Sequence, residues 1–257
     1  MKISILTPSF NAGRDIDDAI QSVITQDYNN WEHIIVDGGS TDETCEILQR
    51  YSHLKWTSEP DRGIYDAMNK AIDLSVGDWV YFLGADDRLR PGALKLIAKA
   101  IEDTDADVVY GDVWSTRFGG RHDGPFDAQK LFRKNICHQA IFFKREIFQR
   151  TGPFNIRYKS HADWDHNFKW FLSRTIKHQY VDCIIADYAD GGYSSTNPDE
   201  LFAKDKRFHF IKYGWKTVPP DFLSQLCKQE FKSSTASATR KLAAVIFYTL
   251  TKFRSLV

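Results

Sequence analysis

Cysteine is scarce and scattered: Cys45, Cys137, Cys183 and Cys227 are the complement of 257 residues. No two are close enough in sequence to form a metal-binding pair, and nothing suggests a disulfide framework, so a reducing compartment is expected. The chain opens directly on a strand-like run, and no signal peptide is expected. No apolar run approaches the roughly 18–20 residues that a membrane-spanning helix needs. Neither sign of charge is in excess, since 34 Lys plus Arg balance 34 Asp plus Glu. A global field of the kind that marks nucleic-acid binders is therefore missing. The expectation is a cytoplasmic protein without a nucleic-acid partner. Internal repeats and low-complexity linkers are also lacking. Aromatic side chains are plentiful, with 7 Trp, 11 Tyr and 18 Phe. They are ordinary core material, and they also make platforms for nucleobases and sugar rings.

The first 42 residues read as a β-α-β unit. Ile3-Ser4-Ile5-Leu6-Thr7 is strand-like and breaks at Pro8, followed by Ser9-Phe10-Asn11. Ile16, Ala19, Ile20, Val23 and Ile24 fall on one face of a helix over 15–28. His33-Ile34-Ile35-Val36 then runs into Asp37-Gly38-Gly39-Ser40-Thr41-Asp42. Further helices are expected from Asp42-Glu43 onward and over 64–75, and short strands at 54–56 and 79–83. A helix from Pro91 and a strand at 107–110 complete a β/α alternation that argues for a parallel, doubly wound sheet. After Gly111 the rhythm changes. Separate strands are expected at 113–118, 140–143 and 180–188, with helices at 145–150, 162–173 and 199–214. The fold class is α/β: a Rossmann-like, mostly parallel sheet with a mixed C-terminal half and a helical C-terminal extension. One domain is expected over 1–214, with halves at 1–112 and 113–214, and 215–257 as the extension.

Ligands of such sheets sit outside the carboxyl ends of the strands, and acids collect at those ends. Asp37 closes the second strand, Asp86 and Asp87 follow the strand at 79–83, and Asp163 and Asp165 flank Trp164. Adjacent carboxylates repel unless a cation lies between them, and a Mg²⁺ or Mn²⁺ also bound to phosphate is the usual solution. A solvated turn and helix cap fits Asp86-Asp87 equally on spacing alone.

The combination resembles the inverting family-2 glycosyltransferases of GT-A fold. The residues that carry the resemblance are Ile5 to Asn11, Gln26-Asp27-Tyr28, Ile34 to Asp42, Gly77-Asp78, Asp86-Asp87 and Ala162 to Asp165. Glu59-Pro60-Asp61-Arg62-Gly63-Ile64-Tyr65-Asp66-Ala67-Met68-Asn69-Lys70 and Cys137-His138-Gln139 are similar to the branch that builds bacterial exopolysaccharides of the colanic-acid type. The resemblance implies that Pro8, Ser9 and Phe10 hold the base and ribose of a nucleotide-sugar donor, with Asp37 accepting a hydrogen bond from the base. It implies that Asp86 and Asp87 contact ribose and a metal-bound diphosphate, with Mn²⁺ or Mg²⁺ as cofactor, and that Asp163 is the catalytic base. Asp165 is its rival, on another face of the same helix. His138 is expected at the donor sugar or acceptor, and Arg62 or Lys70 near the diphosphate. Gly191 to Ser195 resembles a family loop near the phosphates. Four positions depart from the pattern: Gly38 stands for a second Asp, Gly84 for the first acid of the DXD region, Ala162 for a Glu and Met68 for an Arg.

The implied function is transfer of a sugar from a nucleotide diphosphate, a UDP-sugar first, to a saccharide acceptor, lipid-linked, in surface polysaccharide assembly. Two alternatives stand: a non-catalytic nucleotide-sugar or carbohydrate-binding protein, and a nucleotidyltransferase, which would want a basic Gly-rich loop after the first strand. The tail from Arg240 to Arg254 is apolar in the middle and basic at its ends. A peripheral helix on the inner face of the cytoplasmic membrane and a helix packed on the domain both fit it.

Overall fold

Each of the seven residues of β1 (Ile3–Ser9) is buried, as a strand covered on both faces requires. The computed structural model describes residues 1–190 and 197–254. β1 lies between β2 (Trp31–Asp37) and β4 (Trp79–Phe82), parallel to both, and β3 (Lys55–Ser58) extends the parallel set beyond β2. The strand does not break at Pro8 but runs through it. The N–H that proline lacks would face the β4 side, as the Leu6 carbonyl does, and the pairing with β4 already ends at Leu6 and Phe82.

The expected helices α1 (Ile16–Ile24), α2 (Thr44–Leu48) and α3 (Ile64–Leu74) connect these strands. α1 buries Ile16, Ala19, Ile20 and Val23 of the stripe read from the sequence, while Ile24, its last residue, is exposed. α4 (Ala93–Glu102) begins two residues after Pro91, because Gly92 takes a left-handed conformation (φ 78°) that no helix continues through.

The sheet then turns mixed. β8 (Ile141–Lys144) runs antiparallel to β4, and β6 (Val108–Ser115) antiparallel to β8. β9 (His178–Asp187) is parallel to β6, while β5 (Arg88–Leu89) and β7 (Gly120–His122) close the far edge as short antiparallel partners. Among the described residues the order is β3-β2-β1-β4-β8-β6-β9-β5, with β7 on β6. The two strands expected at 107–110 and 113–118 are one. Gly111 is not a boundary but a close approach: a Cβ there would meet the Cys183 carbonyl oxygen at 2.7 Å, where β9 shifts register against β6.

α5 (Ala128–Arg133), α6 (Ile147–Thr151) and α7 (Ala162–Phe171) cover the mixed half. α8 (Glu200–Gly214) packs on α7, and α9 (Pro220–Lys232) and α10 (Ala238–Arg254) form a hairpin against α8. One hydrophobic core runs from Ile3 and Phe82 through Trp170 to Phe210 and Leu226, so the C-terminal helices continue it. Among the described residues no helix is long and apolar enough to cross a membrane.

Gly111→Val forces the β6 and β9 backbones apart. It is expected to lower unfolding free energy by about 1–3 kcal/mol in urea titration, the usual cost of overpacking; a change within 0.5 kcal/mol would show that the contact is slack.

Candidate functional site

The carboxyl ends of β1, β2 and β4 open into a cleft of about 530 Å³. Pro8, Ser9 and Phe10 come from β1 and its turn, Gly38 from the end of β2, and Gly84 to Asp86 from the end of β4. Asp61, Gly63 and Tyr65 come from the β3–α3 turn and the start of α3, His138 and Gln139 from a 3₁₀ turn before β8, and Asp163 from the first turn of α7. Among the lining residues are four carboxylates, Asp15, Asp61, Asp86 and Asp163, and no Lys or Arg.

Asp37 is not on the wall. It is fully buried behind the turn, where six donors hold its carboxylate: the hydroxyls of Ser9, Ser40 and Ser58, the backbone N–H groups of Gly39 and Ser40, and the Cys45 thiol at 3.8 Å. Burial alone would raise its pKa, but the bonds from Ser40, Ser58 and Ser9 outweigh it and hold the carboxyl below its usual range. The charge expected to meet a ligand instead ties the ends of three strands together. The acid beside Gly38 in the cleft is Asp61, whose Oδ2 lies 2.8 Å from where a Gly38 Cβ would stand.

Asp86 is exposed to the cleft and Asp87 is 2 % exposed. Asp87 accepts hydrogen bonds from the Gln139 amide (2.6 Å) and the Ala189 N–H (2.9 Å). Burial, and then the charge of Asp86, push its carboxyl up to about 6 against those bonds. A Cβ at Gly84 would stand 2.3 Å from Asp87 Oδ2 and 3.0 Å from Asp86 Oδ1, so oxygens of both acids converge over that glycine. Among the described residues no three His, Cys, Asp or Glu side chains form a closed metal cage. An open pair of carboxylate oxygens suits a hard cation such as Mg²⁺ or Mn²⁺, which takes one or two carboxylates and completes its shell with phosphate and water. The residues present fit such an ion.

Asp163 is 7 % exposed at the cleft wall. Tyr65 Oη (2.9 Å) and the Trp164 N–H (2.8 Å) donate to Oδ1, and the Asn135 amide (2.9 Å) donates to Oδ2, with His138 Nδ1 at 3.5 Å. Burial raises its pKa, but His138, Tyr65 and the charge of His161 outweigh it and keep the carboxyl below its usual value. Asn135 is itself fixed by the amide of Asn167, whose oxygen holds the Trp170 indole N–H. Asp165 points away from the cleft, where it pairs with His209 of α8 at 2.6 Å and Lys169 at 3.5 Å.

Arg62 and Lys70 do not line the cleft, contrary to expectation. Arg62 pairs with Asp66 one turn along α3 (2.7 Å), and Lys70 with Glu59 (2.8 Å). The Gly191 to Ser195 loop lies outside the described residues. Asp61, Tyr65, Asn135 and Gln139 were not singled out from the sequence, although Asp61, Tyr65 and Gln139 stand inside the motif strings that carry the resemblance.

The profile of Glycosyl transferase family 2 matches residues 4–169. A PGL/p-HBAD biosynthesis glycosyltransferase of Mycobacterium bovis is 40% identical over 210 residues, 78% of this chain and 82% of the relative. Among solved structures, S. aureus TarS 1-349 in complex with UDP superposes with a TM-score of 0.64 at 18% identity, covering 100% of this chain and 92% of that one. The mannosyltransferase PcManGT of Pyrobaculum calidifontis, in complex with GDP-Man and Mn²⁺, gives 0.60 at 17% identity, covering 98% and 73%.

The raised Asp87 carboxyl generates a signed prediction. Its folded value of about 6 lies above the ordinary 3.8, so folding takes up a proton between those values and stability falls as pH rises through that window. Asp87→Asn removes the titration. The variant's stability relative to the parent is expected to rise by about 2 kcal/mol between pH 4 and pH 7 in paired urea titrations; a pH-independent difference would refute the shift.

Proposed function

The chain is a member of glycosyl transferase family 2, and we propose that it transfers a sugar from a UDP-sugar to a hydroxyl of a saccharide acceptor, with inversion at the anomeric carbon and a divalent cation beside the diphosphate. The observation that carries this reading is the charge of the cleft: Asp15, Asp61, Asp86 and Asp163 without a lysine or arginine among the lining residues. A nucleoside diphosphate is itself anionic, and such a wall repels it unless a cation comes with it. Asp86, backed by Asp87, is where that cation would sit. When bound there, Mg²⁺ or Mn²⁺ supplies positive charge to the phosphate oxygens as the diphosphate leaves. Solved neighbours of the same fold carry UDP in one case and GDP-Man with Mn²⁺ in another, which supports the class of donor.

Asp163 takes the role of general base. A sugar hydroxyl is a poor nucleophile and needs a base within hydrogen-bond reach. Asp163 is kept ionised in the cleft, and Oδ2, with one close donor at 2.9 Å, has a lone pair left for the acceptor hydroxyl. As the hydroxyl oxygen attacks the anomeric carbon, its proton passes to Asp163, and the carbon–oxygen bond to the diphosphate breaks on the opposite face. One in-line displacement inverts the centre. The nucleotidyltransferase alternative wants basic residues after β1, and the lining residues there, Pro8 to Ala12 and Asp15, include none.

The mycobacterial relative's role in PGL/p-HBAD biosynthesis supports an acceptor in cell-surface glycan assembly, and we place that acceptor on a lipid. α10 supports this. It packs through Ala244, Phe247, Tyr248 and Thr251, while Leu242, Val245, Ile246, Leu250 and Phe253 are exposed on the opposite face. Lys241 and Lys252 lie near the rim of that face, and the helix contains no Asp or Glu. An apolar face with basic flanks suits the interface of an anionic membrane.

Asp163→Asn is expected to lower transfer about 10²- to 10⁴-fold with UDP-sugar binding retained, as followed by release of UDP and by calorimetry. Full activity in that variant would remove Asp163 from the reaction. Removing divalent metal with EDTA is expected to abolish donor binding, and Mn²⁺ to restore it. Ile246→Glu with Val245→Glu is expected to abolish co-sedimentation with phosphatidylglycerol vesicles; unchanged sedimentation would assign the exposed face elsewhere.

A further inference from the structure

The position of Asp61 carries an inference that rests on the donor reading above and adds to it which group reads the base. Gly38 follows the buried Asp37 and has no side chain to offer the cleft. The space its side chain would fill is taken by Asp61, with Oδ2 2.8 Å, Cγ 3.2 Å and Oδ1 3.4 Å from the Gly38 Cβ position. A carboxylate carried by residue 38 itself would have its oxygens about 2.4 Å from that Cβ, by ordinary covalent geometry. Asp61 therefore presents a carboxylate oxygen at a comparable distance from that position, reached from the neighbouring turn and on the same cleft wall.

The placement is firmly held. β3 pairs with β2 up to Ser58 and Asp37, and the Glu59 N–H donates to the Asp37 carbonyl at 3.0 Å. Pro60 lies against Gly39, where φ is +83° and a Cβ would stand 3.3 Å from the Pro60 nitrogen, so a side chain there would crowd the neighbouring turn. The Gly63 N–H donates to Asp61 Oδ1 at 2.7 Å, which orients the carboxylate and leaves Oδ2 toward Gly38 and the cleft. Phe10 lines the same end of the cleft with 63% of its surface exposed, an apolar ring with open space against it.

We infer that Asp61 is the specificity-determining residue for the nucleobase, accepting a hydrogen bond from a ring N–H beside the Phe10 ring. Uracil presents such a donor at N3 and guanine at N1. Cytosine and adenine present bare ring nitrogens at the corresponding edge, and a carboxylate repels those lone pairs. Asp37, buried and held by its internal donors, takes no part in the reading.

The test is calorimetry with UDP, GDP, CDP and ADP in the presence of Mn²⁺, on the parent chain and on Asp61→Asn. The parent is expected to bind UDP or GDP and to reject CDP and ADP; which of the two binds identifies the base. Asp61→Asn is expected to lose about tenfold or more for the preferred nucleotide and to gain affinity for CDP, since an amide can donate to the cytosine ring nitrogen. That gain cannot come from a damaged fold. Gly38→Asp in an Asp61→Ala background is expected to recover the parent's preference. If Asp61→Asn keeps both the affinity and the discrimination of the parent, this inference is overturned while the donor reading stands. If the parent binds none of the four nucleotides, the donor reading fails and takes this inference with it.

Discussion

The buried carboxylate of Asp37 is the constraint on which the β1–β3 side of the cleft depends. A charge with no access to water persists only where hydrogen bonds replace the water it has lost. Here the replacements come from the ends of β1 and β3 and from the turn after β2: Ser9, Ser58, Gly39 and Ser40. Three strand ends are thereby fixed relative to one another, and so are the turns that follow them. The turn after β1 carries Phe10, the turn after β2 brings Gly38, and the turn after β3 brings Asp61. The cleft wall on this side is the outer surface of a network whose centre is one acid.

Charge then organises what the network builds. Two positions where the family pattern has an acid are glycines in this chain, Gly38 and Gly84. At both, a carboxylate from a neighbouring residue occupies the space that a side chain would take: Asp61 at the first and Asp87 with Asp86 at the second. At both positions a side chain would collide with these carboxylates, so what the neighbours fill requires glycine there. Among the described residues the cleft wall carries acids and no lysine or arginine, and burial first, then the charge of Asp86, raises the Asp87 carboxyl to about 6.

Much of this was legible in the sequence, for physical reasons. β1, β2 and β4 are buried on both faces and read as unbroken apolar runs, while α1 and α3 have clear one-sided stripes. The parts that were not legible depend on contacts between distant segments. Gly111 looks like a break because nothing local reveals Cys183 pressed against it, and β5 is two residues long and exists only through β9. At the site, Asp86, Asp163 and His138 line the cleft together, as the motifs suggest. Asp37 is a motif residue turned inward, and no local pattern separates an acid that caps a turn from one that meets a ligand. Arg62 and Lys70 have the right charge in the right stretch, but Asp66 and Glu59 engage them outside the cleft.

The position of Asp163 joins the two halves of the sheet in one site. Its carboxylate is held by Tyr65 from α3, in the parallel half, and by Asn135 from the loop before β8, in the mixed half. Neither half alone would define where this carboxylate points. Tyr65 is tied to the turns after β1 to β3 through the start of α3, and Asn135 to the core through Asn167 and Trp170. Asp163 is therefore oriented against both halves of the sheet at once. This also explains why Asp163 and Asp165, two residues apart on α7, have separate fates. The first turn of the helix sits at the seam between the halves, and a rotation of about 200° along the helix carries the second acid into the packing with α8.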